Sequence, residues 1–254
     1  MKKVVFLKLV LFISFFSVFT GMAQANWIKT YSNNEYIWHS AITKTFDGNL
    51  IVAGHLSGTS PENDHGALFA KLDSNGDIIW QRKLGLANGY AAKCVLETSD
   101  HYFIVAGHDP NYGWIFKFDP DGNVLWQRSY GGNNSLRSIE DIKETSDGGY
   151  IVTGVKSSHP DHIFCGIMKL DSNGNVQWRR GASNPNSGRG YSVHETSDGG
   201  YVVAAGSYQN APWIIKFNAE GDTVWQKRYE IGSIGDARSI YPTSDGGFVV
   251  RGQQ

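Results

Sequence analysis

The residues of this chain best suited to chemistry lie in two irregular stretches. His159-Pro160-Asp161-His162 sets two imidazoles three residues apart with a carboxylate between them, and Asp64-His65 puts the same two groups side by side. Imidazoles can move protons near neutrality or ligate a divalent metal, and carboxylates can work beside them as acid and base. Histidines in loops are usually solvated rather than ligating, so no metal is expected here. Tyr112 and Tyr208, together with Arg137, Arg189 and Arg238, are aromatic and guanidinium groups of the kind that anchor a partner or a sugar. They are also ordinary loop residues, so they stand only as candidates for ligand binding.

Other motifs carry less. The Asp-Ser-Asn-Gly segments invite a calcium reading, but an EF-type loop needs Gly at its sixth position and a late bidentate Glu. Here Gly comes fourth and no such Glu follows, which leaves a hairpin turn. The Thr-Ser-Asp-Gly-Gly block half-matches the Asp-box of sialidases, itself a structural turn, but Val152, Val203 or Val250 stands where that box ends in Trp. Cys94 and Cys165 are far apart and have no counterparts in other units, so they read as two small buried thiols, not a disulfide. A quinone-dependent dehydrogenase would need an adjacent Cys pair. With no nucleophile elbow, phosphate loop or zinc-spaced cluster either, no cofactor and no catalytic residue are assigned.

The elements that must position these groups follow from internal repetition. Trp27, Trp80, Trp126, Trp178 and Trp225 recur every 46 to 53 residues, and Thr45, Thr98, Thr145, Thr196 and Thr243 keep the same beat. Two blocks alternate, TSDGGYIVTG and KLDSNGNVQW in one unit, so each unit reads as strand A, SDGG turn, strand B, loop, strand C, DSNG turn, strand D. Asp147-Gly148 and Asn173-Gly174 are pairs that tolerate positive φ, as two-residue hairpins require. Tyr150-Ile151-Val152 and Val124-Leu125-Trp126 are β-branched or apolar throughout, which predicts sheets buried on both faces. Four-stranded sheets of about 50 residues, stacked face to face, are the blades of a β-propeller. Repeated groups are expected to be structural: the five Trp pack blade on blade. Lys71, Lys117, Lys169 and Lys216, with Glu97, Glu144 and Glu195, serve as periodic inter-strand partners.

On these TSDGGY…KLDxxGNxxW repeats and the Tyr130-Gly131-Gly132 tail, the chain resembles a family of secreted bacterial and archaeal propellers. More distantly, the Asp-x-x-Gly-x-x-x-Trp block resembles the tryptophan-docking repeat of quinoprotein-type propellers and of the outer-membrane-assembly propeller. The resemblance covers Trp27 to Gly252 and implies a fold, not an activity.

Length variation between units falls almost wholly between strands B and C, so one face of the disc is uniform and the other carries irregular loops. Loops set on a rigid scaffold are where binding resides, which places any ligand on the B–C and D–A face. The long 55–70 and 155–166 loops are expected to be the most mobile on that face. Trp27 stands 18 residues before Thr45, as in later units, and the chain stops just after a fifth strand B. The expectation is an all-β, open arc of four full blades plus a partial fifth, from a truncated reading frame or an excised piece.

The remaining residues give an address. Lys2 and Lys3, the apolar run Val4–Phe19 and Ala23-Gln24-Ala25 form a secretory signal peptide over 1–25, leaving 26–254 as the propeller domain. Its removal takes three Lys, leaving 20 basic against 24 acidic residues, a net −4, with no footprint for nucleic acid and no further span. The expected product is a secreted, periplasmic or cell-surface, non-catalytic propeller that binds or scaffolds an unknown protein or glycan at the cell envelope. The competing class is a carbohydrate- or polymer-active enzyme working through Asp64, His65, Asp161 or His162.

Overall fold

A computed structural model describes residues 35–58, 66–84, 90–131, 136–159, 162–182, 188–206, 211–229 and 235–253. Every regular element among them is a strand. The first blade holds β1 (Glu35–Lys44), β2 (Leu50–Gly58), β3 (Gly66–Leu72) and β4 (Ile78–Leu84). The second holds β5 (Ala91–Glu97), β6 (Phe103–His108), β7 (Gly113–Phe118) and β8 (Val124–Ser129). The third is β9 (Leu136–Glu144), β10 (Tyr150–His159), β11 (His162–Leu170) and β12 (Val176–Gly181). The fourth is β13 (Gly190–Glu195), β14 (Tyr201–Ala205), β15 (Trp213–Phe217) and β16 (Thr223–Arg228). Finally, β17 (Asp236–Pro242) and β18 (Phe248–Gln253) pair as a two-stranded sheet. Each full blade is an antiparallel meander in chain order, so the fold is an open β-propeller of four blades and a partial fifth.

Strands β1, β5, β9, β13 and β17 are the A strands and lie side by side from blade to blade. The B and C strands are the buried layers: β14 and β15 are buried along their whole length, with Val202, Val203, Ile215 and Phe217 fully enclosed. The D strands depart from the expectation of burial on both faces. Val124 and Leu125 are about half exposed, because β8, as the last strand of its blade, lies on the rim. Apolar composition there reflects β propensity as well as burial.

The turns also differ from the expected form. Thr145 accepts from the Gly148 N–H and donates its own N–H to Gly149, which encloses three residues, and only Gly148 takes positive φ (75°). This is a three-residue hairpin with glycine in the left-handed position, and the Asp in front of it stays in an ordinary region. Asp147 earns that place through its side chain: Oδ1 accepts from the Thr145 hydroxyl at 2.6 Å and from the Gly149 N–H at 3.0 Å. In the DSNG turn, Asp171 Oδ1 accepts from the N–H groups of Asn173 and Asn175, and Oδ2 accepts from the Asn175 amide. The carboxylate that a calcium reading would need is thus occupied by its own turn.

Candidate functional site

The uniform face is built of bonds that repeat. Within a blade, the strand-C lysine reaches the Asp of the A–B turn: Lys71 to Asp47, Lys117 to Asp100, Lys169 to Asp147 and Lys216 to Asp198, all between 2.8 and 3.0 Å. Between blades, the glutamate ending β5, β9 and β13 caps the turn of the blade before it. Glu144 accepts from the Ser99 N–H and hydroxyl at 2.7 and 2.8 Å, Glu195 does the same for Ser146, and Glu97 accepts from the Phe46 N–H. The lysines are inter-strand partners as expected; the glutamates bridge blades, a longer reach than that expectation.

The rim repeats too. Trp80 donates to the Pro120 carbonyl at 3.1 Å and packs on Gly122 in the next blade; Trp126 lies on Gly174 and Trp178 on Gly221 in the same way. Trp225 is 38 % exposed and faces Phe248 of β18 at 6.2 Å between ring centroids. Trp27 lies outside the described residues.

Among the described residues, three cavities of a size to hold a small group stand out. One of about 290 Å³ sits at the first seam of the uniform face, where Lys71 is already paired with Asp47 and Glu97 accepts from the Phe46 N–H. A second, of about 330 Å³, lies between blade four and β18 and is lined mainly by Ile214, Trp225, Tyr229, Phe248 and Val250. The third, of about 270 Å³, opens on the B–C and D–A face across blades two, three and four. It brings together His108, Asp109 and Pro110 from the β6–β7 connection, Arg137 and Ser138 from the start of β9, Val155 of β10, and Arg189 just before β13. His108 has a counterpart in His55 of the first unit, but the arginines, Asp109 and Pro110 do not repeat at their positions in other units.

The polar groups of this third groove are only partly committed. Asp109 Oδ1 accepts from the N–H groups of Asn111 and Tyr112 at 2.7 Å each, shaping the connection. Glu140 accepts from the Ser138 hydroxyl at 2.8 Å and lies 3.5 Å from Arg189. Arg137 is exposed and has no carboxylate partner among the described residues. The buried Nδ1 of His108 has no hydrogen-bond partner among the described residues. Burial lowers the His108 pKa, and Lys93 and Arg189 push the same way against Glu140 and Asp109. Burial thus favours the neutral form of His108.

Deeper along the A strands lies a second irregular cluster. Asp141 accepts from the Lys143 ammonium at 2.6 Å and from the Val193 N–H of the next blade at 3.0 Å. Burial opposes the charge on Lys143, but the Asp141 carboxylate overrides it and raises its pKa. His194 has a buried Nε2 with no hydrogen-bond partner among the described residues, and burial followed by the Lys143 charge lowers its pKa. At the last seam, Tyr191 donates to Asp236 Oδ2 at 3.0 Å, and the Arg238 guanidinium, 3.0 Å from the same carboxylate, lies 3.9 Å over the Tyr191 ring. Burial and then Asp236 push the Tyr191 hydroxyl up to about 12, so it remains a donor.

The candidates read from sequence fall as follows. Arg137 and Arg189 meet in the groove; Arg238 is held against Tyr191 at the last seam. Tyr112 is exposed in the same connection as Asp109, its ring against Gly131. His159 and His162 do not sit in a long loop. The 155–166 segment is mostly ladder, with Val155 opposite Cys165, Lys156 opposite Phe164, and His159 opposite His162 at the hairpin's end. The β-forming Val155, Ile163 and Phe164 extend the strands to that point. Asp64, His65, Asp161 and Tyr208 lie outside the described residues. Among the described residues, no three His, Cys, Asp or Glu side chains come together as a metal site. Cys94 and Cys165 are both free and buried, and burial pushes the Cys165 thiol up to about 12. Sequence reasoning missed His108, Lys93, Glu140, Asp141, Lys143 and His194. The available signal was irregularity: in a repeat, a polar residue that differs at each A-strand position is worth noting.

No helix among the described residues is long and apolar enough to cross a membrane. No protein-family model matches the chain, and no curated protein matches it. Solved structures do. A protein of unknown function from Dyadobacter fermentans superimposes with a TM-score of 0.63 at 11% identity, covering 86% of this chain and 75% of that one. One of unknown function from Bacteroides caccae gives 0.59 at 17%, covering 88% and 73%. A putative exo-β-1,3-galactanase from Bifidobacterium bifidum gives 0.53 at 13%, covering 84% and 81%. At these identities the likeness is one of fold.

Proposed function

We propose that the chain is an exported, non-catalytic β-propeller of the secreted TSDGGY-repeat kind, which binds a protein or glycan at the cell envelope through the groove around Arg137 and Arg189. The observation that carries this reading is the contrast between the two faces. On one, the lysines and glutamates of the repeat meet their counterparts; on the other, unlike residues from three blades converge and leave a guanidinium with no carboxylate partner among the described residues. Export rests on the 1–25 leader.

The carbohydrate-active alternative draws on the galactanase-like neighbour and on the carboxylates at the groove. Those carboxylates already have structural partners: Asp109 shapes its turn and Glu140 holds Ser138. In a pull-down from envelope extract, the protein beginning at Asn26 should retain a component that the Arg137→Ala/Arg189→Ala double variant releases. Retention unchanged in the double variant would remove the groove from the reading. A glycoside turnover that disappears when Asp64, His65, Asp161 and His162 are changed to Ala would replace binding with catalysis.

A further inference from the structure

We infer that the groove takes the carboxylate of an acidic sugar, a deepening that rests on the binding role proposed above. The charge balance is local. The sequence as a whole is slightly acidic, at −1, yet Arg137, Arg189 and Lys93 gather here against Glu140 and Asp109.

The type of cation matters more than the count. A guanidinium presents parallel N–H donors in a fixed plane, which match the two oxygens of a carboxylate, whereas an ammonium acts as a point charge. Arg137 is exposed at the groove with no carboxylate of its own among the described residues. Arg189 is 42 % exposed, and its 3.5 Å approach to Glu140 is too long for a strong bidentate pair. Both forks therefore have donors to give.

The rest of the groove suits a hydroxylated ring. Val155 and Pro110 supply apolar wall, and the Ser138 hydroxyl and the second oxygen of Asp109 supply polar contacts for sugar hydroxyls. Tyr112, 43 % exposed in the same connection, offers an aromatic face beyond the groove. About 270 Å³ lies near the lower end of small-ligand pockets, roughly the room of one sugar ring.

Isothermal titration of the mature protein with trigalacturonate, its carboxyl-reduced neutral counterpart and inorganic sulfate tests this. Trigalacturonate should bind, weakening as salt rises, and the neutral trisaccharide should not. Arg137→Ala and Arg189→Ala should each weaken binding at least about tenfold. Arg137→Lys, which keeps the charge and removes the fork, should lose most of that affinity as well. Equal binding of the neutral sugar, equal binding of sulfate, full affinity of Arg137→Lys, or no binding of trigalacturonate would each overturn the inference. An envelope component still retained in an Arg137-dependent way would then leave the binding role standing without its acidic ligand.

Discussion

Lys169 shows how a single side chain ties a blade together. Its ammonium is almost fully enclosed, donates to both oxygens of Asp147 and to the Leu170 carbonyl, and so fastens the A–B turn to strand β11. Burial alone would raise the Asp147 pKa, but the hydrogen bonds from Lys169 and Thr145 reverse this and hold it at about 2, below its ordinary 3.8. A carboxylate depressed in the folded state stabilises fully above its unfolded pKa and loses that contribution as pH falls toward the folded value. Asp147 is half exposed, so screening limits the pair to about 1 kcal/mol or less. Urea melts of the wild type and Lys169→Met should therefore differ at pH 6 and converge between pH 4 and 2. A difference that persists at pH 2 would show that the lysine acts by packing alone. The carboxylates of Asp47, Asp100 and Asp198 are lowered by equivalent bonds, so acid should loosen the four turns together.

The elements were the most legible level of the sequence. Spacing between Thr, Lys and Trp repeats located every A, B, C and D strand of the four blades, because a unit that stacks on its own copy must keep its turns in step. Turn type was misread from Asp147-Gly148 because the pair suits both hairpin forms; the Thr145 and Asp147 side chains select the three-residue one. The long 155–166 loop was misread because Pro160 and the flanking polar residues hide a ladder that runs to His159 and His162. The groove was half legible: Arg137 and Arg189 stood out, but His108 and Glu140 gain meaning only once three blades bring them together. One element-scale prediction separates two kinds of glycine. Gly148 and Gly174 both have φ near +75°, but a Cβ at Gly148 meets open space, whereas one at Gly174 comes within 2.9 Å of the Trp126 ring. Gly148→Ala should cost about 1 kcal/mol, the left-handed penalty alone. Gly174→Ala should cost clearly more and red-shift Trp emission as the ring leaves its seat. Equal costs would mean that the Trp–Gly contact contributes nothing to the seam.

At the scale of the molecule, stability should follow position along the arc. Each blade meets only its neighbours, so enclosure depends on having one on both sides. The second and third blades have such neighbours throughout, and their strands share a core cluster from Cys94 to Leu170. The β17–β18 sheet packs on β13 and β14, while Val249 and Tyr241 remain about 60 % exposed. Amide exchange should accordingly be slowest in β6, β7, β10 and β11 and fastest in β17 and β18. Uniform protection from β1 to β18 would indicate a single cooperative unit and would remove the nearest-neighbour account.

The glutamate bridge has a direction. Glu97, Glu144 and Glu195 each reach back to the turn of the preceding blade, so every seam joins a donor surface to a different acceptor surface. A head-to-tail joint of this kind is indifferent to how many times it is used, unlike a two-fold contact, which is exhausted by one partner. The molecule is in that sense a word built from one syllable, in which another copy could be spelled in without inventing a new join. Pro242 occupies the glutamate position in β17, and there the grammar changes: Tyr191 and Asp236 hold the last seam instead. A unit duplicated between two earlier blades inherits the common join on both sides, whereas one inserted directly ahead of the β17–β18 sheet would have to end on an exception.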